Sequence, residues 1–324
     1  MAKASSLDTE LAQARRLADR PPADLTDAEI RSLLASKHGM VASKGAQLTA
    51  EAKRETLIPD LLRAFDRFLV NGEKTDRGCV GKFAAINALC ALDHRDGDLY
   101  RRGLHVIQLE ASFGPRVDSA AELRGRCAIA LAECGAPRAI LDIVPLLVES
   151  QPQARLGAAR AIGAFGSEEA AAILRLKVLT GDPEPIVLAE CCLALLHISI
   201  ADHAPFLIPF LQTSDDALTI DFVTNLTESR DPAILPIIQA LYPTASSPSV
   251  RKAILSALAL MRIDGALEFL LELLTTELHA RAMEALDALR VRRADDRLRT
   301  RLEAAITQRN DPALLKHYRA VFDA

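Results

Sequence analysis

Tryptophan is absent from this sequence, and aromatic residues make up only 4% of its 324 positions. Hydrophobic residues nevertheless account for 50% of the chain, so this fraction is supplied mainly by alanine, leucine and isoleucine. Such a composition is typical of packed helices and argues against a β-sandwich or barrel, which favours β-branched and aromatic residues. A chain with this much aliphatic content can bury a large core.

A strong charge bias is also missing. The formal net charge is −4 and the isoelectric point is about 6.0, which gives no global basic field to attract nucleic acid or anionic lipid. We therefore expect neither a nucleic-acid nor a membrane partner. The arginine-rich stretch between Arg290 and Arg301 also holds Asp295 and Asp296, and this mixture favours a solvated helix face over a nucleic-acid patch.

Long apolar runs are missing as well. No run reaches the length of a membrane span, and the N-terminal sequence MAKASSLDTELAQARRLADR lacks the apolar segment of a signal peptide. The six cysteines form no CxxC pair, and most fall at apolar helical positions, which indicates reduced thiols. These features predict a cytoplasmic location.

Catalytic motifs are the last absence. The sequence contains no GxSxG, no GxxxxGK[ST] and no HExxH, and its seven histidines lie far apart without metal-ligand spacing. We interpret the histidines as helix-end or surface residues. The sequence thus predicts no catalytic residues, no metal site and no cofactor, as expected for a non-enzymatic protein.

The sequence does contain an internal repeat, in which a segment that ends in an Ala-Leu-like pair recurs along the chain. Its copies are MVASKGAQL (40–48), GKFAAINAL (81–89), LRGRCAIAL (123–131), ARLGAARAI (154–162), VLAECCLAL (187–195), LTIDFVTNL (218–226), VRKAILSAL (250–258) and LHARAMEAL (278–286). The last residues of successive copies are separated by 41, 42, 31, 33, 31, 32 and 28 positions. This is the period of a two-helix repeat, and the small residue before most anchors predicts close helix approach.

A second helical pattern precedes most copies. It is visible at 57–65, 141–150, 170–179, 204–211, 233–241 and 266–274. Four of these segments contain a proline that starts or kinks a helix, namely Pro59, Pro145, Pro209 and Pro236. Because every periodic segment follows the helical period, we expect no β-sheet.

The helix pair, the proline in the first helix, the Asp-Pro turn and the Ala-Leu second helix resemble HEAT repeats, in particular the HEAT-like bacterial and bilin-lyase-type proteins. The resemblance covers roughly residues 25–310. It implies an all-α fold, an α-α superhelix of about eight helix pairs. We expect an N-terminal cap or frayed segment at 1–24, a repeat solenoid at 25–294 and C-terminal capping helices at 295–324.

A basic residue stands seven positions before the anchor in three consecutive repeats, as Lys82, Arg124 and Arg155, and an acidic residue lies six positions earlier in each. The resemblance implies that these residues form a hydrogen-bonded ladder that ties neighbouring turns together. A ligand site built from the same charges is the alternative.

The two longest repeat periods each hold an expanded connection, at 70–79 and at 110–122. These connections occupy equivalent places in adjacent repeats, so stacking predicts that they lie side by side, either as a binding edge or as tolerated insertions. The candidate partner-binding residues are Lys74, Asp76, Arg77, Lys82, Arg116, Asp118, Glu122, Arg124 and Arg126.

The sequence therefore favours a protein-interaction scaffold that binds a protein or peptide partner through these loops and the concave face, where Glu190, Asp221 and Asn225 are further candidates. Two alternatives stay open. One is a bilin-lyase-like protein that acts on a bound chromophore, and the other is a HEAT-like nucleic-acid-binding protein. The partner, its pathway and the oligomeric state are not specified by the sequence.

Overall fold

A computed structural model describes residues 6–226 and 231–322 of the chain, and nearly all of its regular structure is helical. The chain divides into two compact units, the first extending to Ala170 and the second beginning at Ala171. The predicted all-α fold, built from about eight helix pairs, is confirmed.

The first unit contains four successive helix pairs, preceded by one further helix. Its α-helices are α1 (Ser6–Ala18), α2 (Asp27–Leu34), α3 (Gly39–Glu51), α4 (Ile58–Leu69), the single turn α5 (Gly72–Thr75), α6 (Val80–Ala91), α7 (Gly97–Leu104), α8 (Ala121–Glu133), α9 (Ala139–Ile143) and α10 (Pro152–Gly163). The second helices α3, α6, α8 and α10 contact one another in sequence order and form one layer. Residues 1–5 of the predicted N-terminal segment lie outside the described residues.

The second unit continues the same alternation. Its helices are α11 (Glu168–Thr180, which begins at the end of the first unit), α12 (Pro185–Ile198), α13 (Ile200–Thr213), α14 (Asp216–Leu226), α15 (Leu235–Leu241), α16 (Pro248–Met261), α17 (Asp264–Thr276), α18 (His279–Leu289), α19 (Asp296–Arg309) and α20 (Pro312–Phe322). Here α12, α14, α16 and α18 are the second helices and pack in that order. Residues 323 and 324 of the predicted C-terminal segment lie outside the described residues.

Local sequence explains where the second helices begin. Pro152, Pro185 and Pro248 each stand at the first position of a second helix, where proline's missing N–H is not needed for an intrahelical hydrogen bond. In the first helices, proline does not occupy one fixed position. Pro145 falls after α9 and turns the chain into a 3₁₀ segment, Val144–Val148, whereas Pro209 lies inside α13.

Close packing of the second helices depends on small residues, as the repeat predicted. The alanines before the anchors are all buried: Ala88, Ala130, Ala161, Ala194, Ala257 and Ala285. The tightest approach joins α8 to α10, where a Cβ atom added to Gly157 would lie 2.2 Å from the Cα atom of Gly125. A side chain at position 157 would collide with the facing backbone, so only glycine permits this approach of the two helices.

The structure departs from the sequence-based prediction at two places in the first unit. α7 has only eight residues and no apolar-proline signal, so the periodicity missed it. Its N-cap is Asp96, whose carboxylate accepts hydrogen bonds from the amides of Asp98 and Leu99. The expectation of no β-sheet was wrong, because the second expanded connection folds into a short antiparallel pair, β1 (Leu109–Glu110) with β2 (Val117–Asp118). The intervening Gly-Pro dipeptide favours such a turn.

Candidate functional site

The two expanded connections lie against each other in the first unit, as the stacking of adjacent repeats predicted. The side-chain amide of Gln108 donates to the backbone carbonyl of Asp76 at 2.7 Å. The Glu110 carboxylate accepts from the amide of Gly78 at 2.8 Å, and Arg116 Nη2 lies 2.8 Å from Glu73 Oε2. We refer to residues 70–79 together with 105–120 as the loop edge.

A buried ion pair forms the base of the loop edge. Lys82 and Asp76 are 1% and 0% exposed, with Lys82 Nζ 2.9 Å from Asp76 Oδ2. The ammonium also donates to the Phe68 carbonyl at 3.2 Å and to Gln108 Oε1 at 2.6 Å, so three acceptors match its three N–H groups. The Asp76 carboxylate also accepts from the backbone amide of Gly81 at 2.6 Å.

The next repeat has an equivalent arrangement around Arg124. Arg124 Nη1 lies 2.8 Å from Asp118 Oδ2 and donates to the carbonyl of Val106 at 2.7 Å. Arg124 Nε and Nη2 form a bidentate ion pair with the carboxylate of Glu149, which lies in the turn of the following repeat. Since Arg124 is also buried, its charge links two repeats and is not presented to solvent.

The same use of the ladder position recurs along the chain. Arg155 donates to the carbonyls of Glu149 and Ser150 at 2.7 and 2.9 Å. In the second unit Arg251 donates to the carbonyl of Ser246 at 2.7 Å and pairs with Glu284. In each case a basic side chain donates to backbone carbonyl groups in the connection between the two helices of its repeat.

The nine predicted site residues therefore separate by exposure. Asp76, Lys82 and Arg124 are buried, and Asp118 keeps only 9% of its side chain exposed. Arg126 lies on the second-helix layer, where its Nε donates to Asn87 Oδ1 at 3.0 Å. The four exposed members are Lys74, Arg77, Arg116 and Glu122.

Sequence reasoning missed the apolar side chains of the loop edge. Its exposed large apolar residues are Val70 (67%), Ile107 (68%), Leu109 (45%), Phe113 (115%) and Val117 (51%). Phe113 lies between β1 and β2 and is fully exposed, whereas the other nine phenylalanines are buried or half-buried. A phenylalanine flanked by serine and Gly-Pro inside an expanded loop was the available signal, since such a residue has no helical position to fill.

The pKa shifts at the loop edge belong to groups with a structural and not a reactive environment. Burial disfavours ionisation of Glu110, but hydrogen bonds from Gln108, Ser119 and Gly78 outweigh it and hold the pKa of the carboxyl below its usual value. Burial raises the pKa of the Cys79 thiol to about 12, so this cysteine is unreactive at neutral pH.

Within residues 6–226 and 231–322, no group of three or more His, Cys, Asp and Glu side chains is placed to hold a metal ion. His279 and His317 are hydrogen-bonded to Asp311 and Asp287, whereas His203 is buried in the first turn of α13. In the same residues, no helix has both the length and the apolar character that a bilayer crossing requires.

Comparison with known proteins identifies the repeat. A family model of HEAT repeats matches residues 115–195 and 204–290, which together exceed half of the chain. The chain belongs to the HEAT repeat family. The predicted fold class and the resemblance to HEAT proteins are thereby confirmed.

Comparisons with individual proteins add little about this HEAT repeat protein. An engineered protein with a crystal structure from the Northeast Structural Genomics Consortium is similar at 17% sequence identity and a TM-score of 0.35. The match covers 100% of this chain and 92% of that one. No curated protein matches the sequence.

Proposed function

We propose that this HEAT repeat protein is a non-enzymatic interaction module that binds a protein segment through the loop edge of its first unit. The observation that carries the proposal is the contrast within that edge. The polar groups at its base, Asp76, Lys82 and Gln108, are buried and bonded to one another, whereas its large apolar side chains, above all Phe113, face solvent. Exposed apolar groups clustered on a rigid base are typical of protein interaction sites.

The chemistry of the edge favours a protein over a nucleic acid. Arg116 is paired with Glu73, and the exposed Val70, Ile107 and Leu109 offer aliphatic surface beside the exposed cations Lys74 and Arg77. Nucleic-acid sites instead gather unpaired cations along the backbone path. An exposed phenylalanine at the tip of a hairpin is the kind of residue that anchors a protein interface.

A catalytic role has less support at the same place. Lys82, Asp76 and Arg124 are ionisable groups at the base of the edge, and each is enclosed by hydrogen-bonding partners. An acid, base or nucleophile must reach a substrate to act on it. Buried as they are, these three groups have no free access to a substrate.

The second-helix layer of the first unit extends the proposed surface. A groove of about 500 Å³ lies between α3 and α6 and is lined largely by small side chains. Phe83 and Asn87 are among its lining residues, and Asn87 in turn accepts from Arg126. We propose that a partner held at the loop edge continues along this groove.

Site-specific photo-crosslinking tests the proposal. A photoreactive phenylalanine analogue placed at Phe113 should capture a stoichiometric protein from native extract, whereas the same analogue at Leu141, exposed at 58% outside the edge, should not. Binding of the purified partner should then be weakened by Phe113→Ala, with Leu141→Ala as control and unchanged far-UV circular dichroism for both.

Three outcomes would count against the proposal. Full partner retention by Phe113→Ala and by a Lys74→Ala, Arg116→Ala double variant would make the loops tolerated insertions. A coloured preparation would favour the chromophore alternative. Co-isolated nucleic acid that persists at physiological salt would favour the nucleic-acid alternative.

A further inference from the structure

The second unit contains a groove of its own between α16 and α18. Two adjoining cavities of about 680 and 520 Å³ share Ser256, Asp287, Ala288 and Arg290 as lining residues. The larger extends past Leu260 to Arg293, and the smaller extends to Pro248 and Lys252 at the start of α16. Pro248 and Leu260 lie at opposite ends of α16, so the two cavities together follow that helix for about 18 Å.

The charges in this groove do not balance. Its acidic residue Glu284 is already held by Arg251, with Nε–Oε2 and Nη2–Oε1 distances of 2.8 and 3.0 Å. Its other carboxylate, Asp287, is hydrogen-bonded to His317 at 2.6 Å.

Lys252, Arg290 and Arg293 are exposed and form no ion pair with any residue in the described part of the chain. Three unpaired cations in a protein of net charge −4 create a local positive site. The groove thus carries an excess of positive charge that its own carboxylates do not offset.

The remaining lining is aliphatic. Leu260 and Val291 are 47% and 60% exposed, and Ala288 and Ala294 lie between the charged groups. Among the described residues, no aromatic ring lines either cavity, so single-stranded bases would have no stacking platform here. In addition, the smaller cavity reaches the N-terminal turn of the fourteen-residue helix α16, where the helix dipole favours a carboxylate.

From this geometry we infer that the α16–α18 groove binds an acidic peptide segment whose carboxylates pair with Lys252, Arg290 and Arg293 and whose aliphatic side chains contact Leu260 and Val291. The alternation of charge and apolar surface along the groove defines the ligand. This site is separate from the loop edge and does not depend on the function proposed for it.

Fluorescence anisotropy with the full chain tests the inference. The probe is a short fluorescein-labelled peptide of alternating glutamate and leucine, compared with an all-glutamate peptide and an oligothymidylate of equal charge. The mixed peptide should bind most tightly. Its affinity should fall by about tenfold or more in the Arg290→Glu, Arg293→Glu variant, since both ion pairs become repulsive.

The matched control reverses two other exposed arginines of the same unit, Arg297→Glu and Arg319→Glu, which changes the net charge equally. It should stay within about twofold of the wild type, because neither residue lines the groove. Equal losses in both variants would show a non-specific field and overturn the inference. Tighter binding of the oligothymidylate would assign the groove to nucleic acid, and equal binding of the all-glutamate peptide would refute the apolar contacts.

Discussion

Replacement of Lys82 by methionine tests whether the buried ion pair stabilises the first unit. Methionine keeps most of the side-chain volume but removes the ammonium that donates to Asp76, Phe68 and Gln108. The carboxylate of Asp76, at 0% exposure, would then have lost its counter-charge.

The expected loss follows from these contacts. Removing one partner of a buried pair destabilises by about 3–5 kcal/mol, and each buried acceptor left without a donor adds about 1–3 kcal/mol when no water replaces it. The Asp76 carboxylate keeps its hydrogen bonds from the backbone amides of residues 81 and 82, because the substitution changes only the side chain at position 82. We therefore expect a decrease in the free energy of unfolding at the lower end, about 3 kcal/mol.

Urea denaturation followed by far-UV circular dichroism is the appropriate assay, because the chain has no tryptophan to report by fluorescence. The control is Lys74→Met, the same change at an exposed lysine of the adjoining expanded connection, which should stay within about 0.5 kcal/mol of the wild type. Adding Asp76→Asn to Lys82→Met should recover part of the loss. Equal midpoints for Lys82→Met and Lys74→Met would refute a stabilising role for the pair.

Two further predictions concern other contacts. Gly157→Ala should lower stability by about 1–3 kcal/mol despite the better helix propensity of alanine, because the new methyl group meets the backbone of Gly125. The control Gly114→Ala should be nearly neutral, because a Cβ atom at position 114 has no other atom within 4 Å. Equal thermal midpoints for the two variants would contradict this packing. Hydrogen bonds from Arg251 hold the pKa of Glu284 below 4.5, so the stability that this pair contributes should be complete above about pH 4.5 and lost as the pH falls further. The difference in unfolding free energy between wild type and Arg251→Gln should accordingly shrink from about pH 7 to about pH 3, and a constant difference would disprove the linkage.

The second helices could be predicted from sequence almost completely, because their apolar period and small anchor residues repeat. All eight Ala-Leu-like segments fall within or at the start of a helix, from α3 to α18. A repeated pattern gives several independent readings of the same structure. The first helices repeat less regularly, and α7 was missed because it has only eight residues and lacks the apolar-proline unit.

The candidate site was harder to predict, because sequence spacing identifies charged residues but not their exposure. Asp76 and Lys82 were recognised as a spaced pair, yet their burial depends on Gln108, which comes from the next repeat. Phe113 carried no periodic signal at all. Hydrophobic residues in a loop can be buried or exposed, and only the three-dimensional fold distinguishes these cases.

The link from Arg124 to Glu149 has a consequence for how this array can change over evolutionary time. Repeat proteins gain and lose length by duplication or deletion of whole repeats, which succeeds when each junction is interchangeable. Deletion of the repeat that supplies Glu149 would leave the buried guanidinium of Arg124 with Asp118 as its remaining acidic partner. Deletion of the repeat that supplies Gln108 would remove an acceptor of the buried Lys82 ammonium. We therefore expect the repeats from α4 to α10 to be gained or lost only as a block.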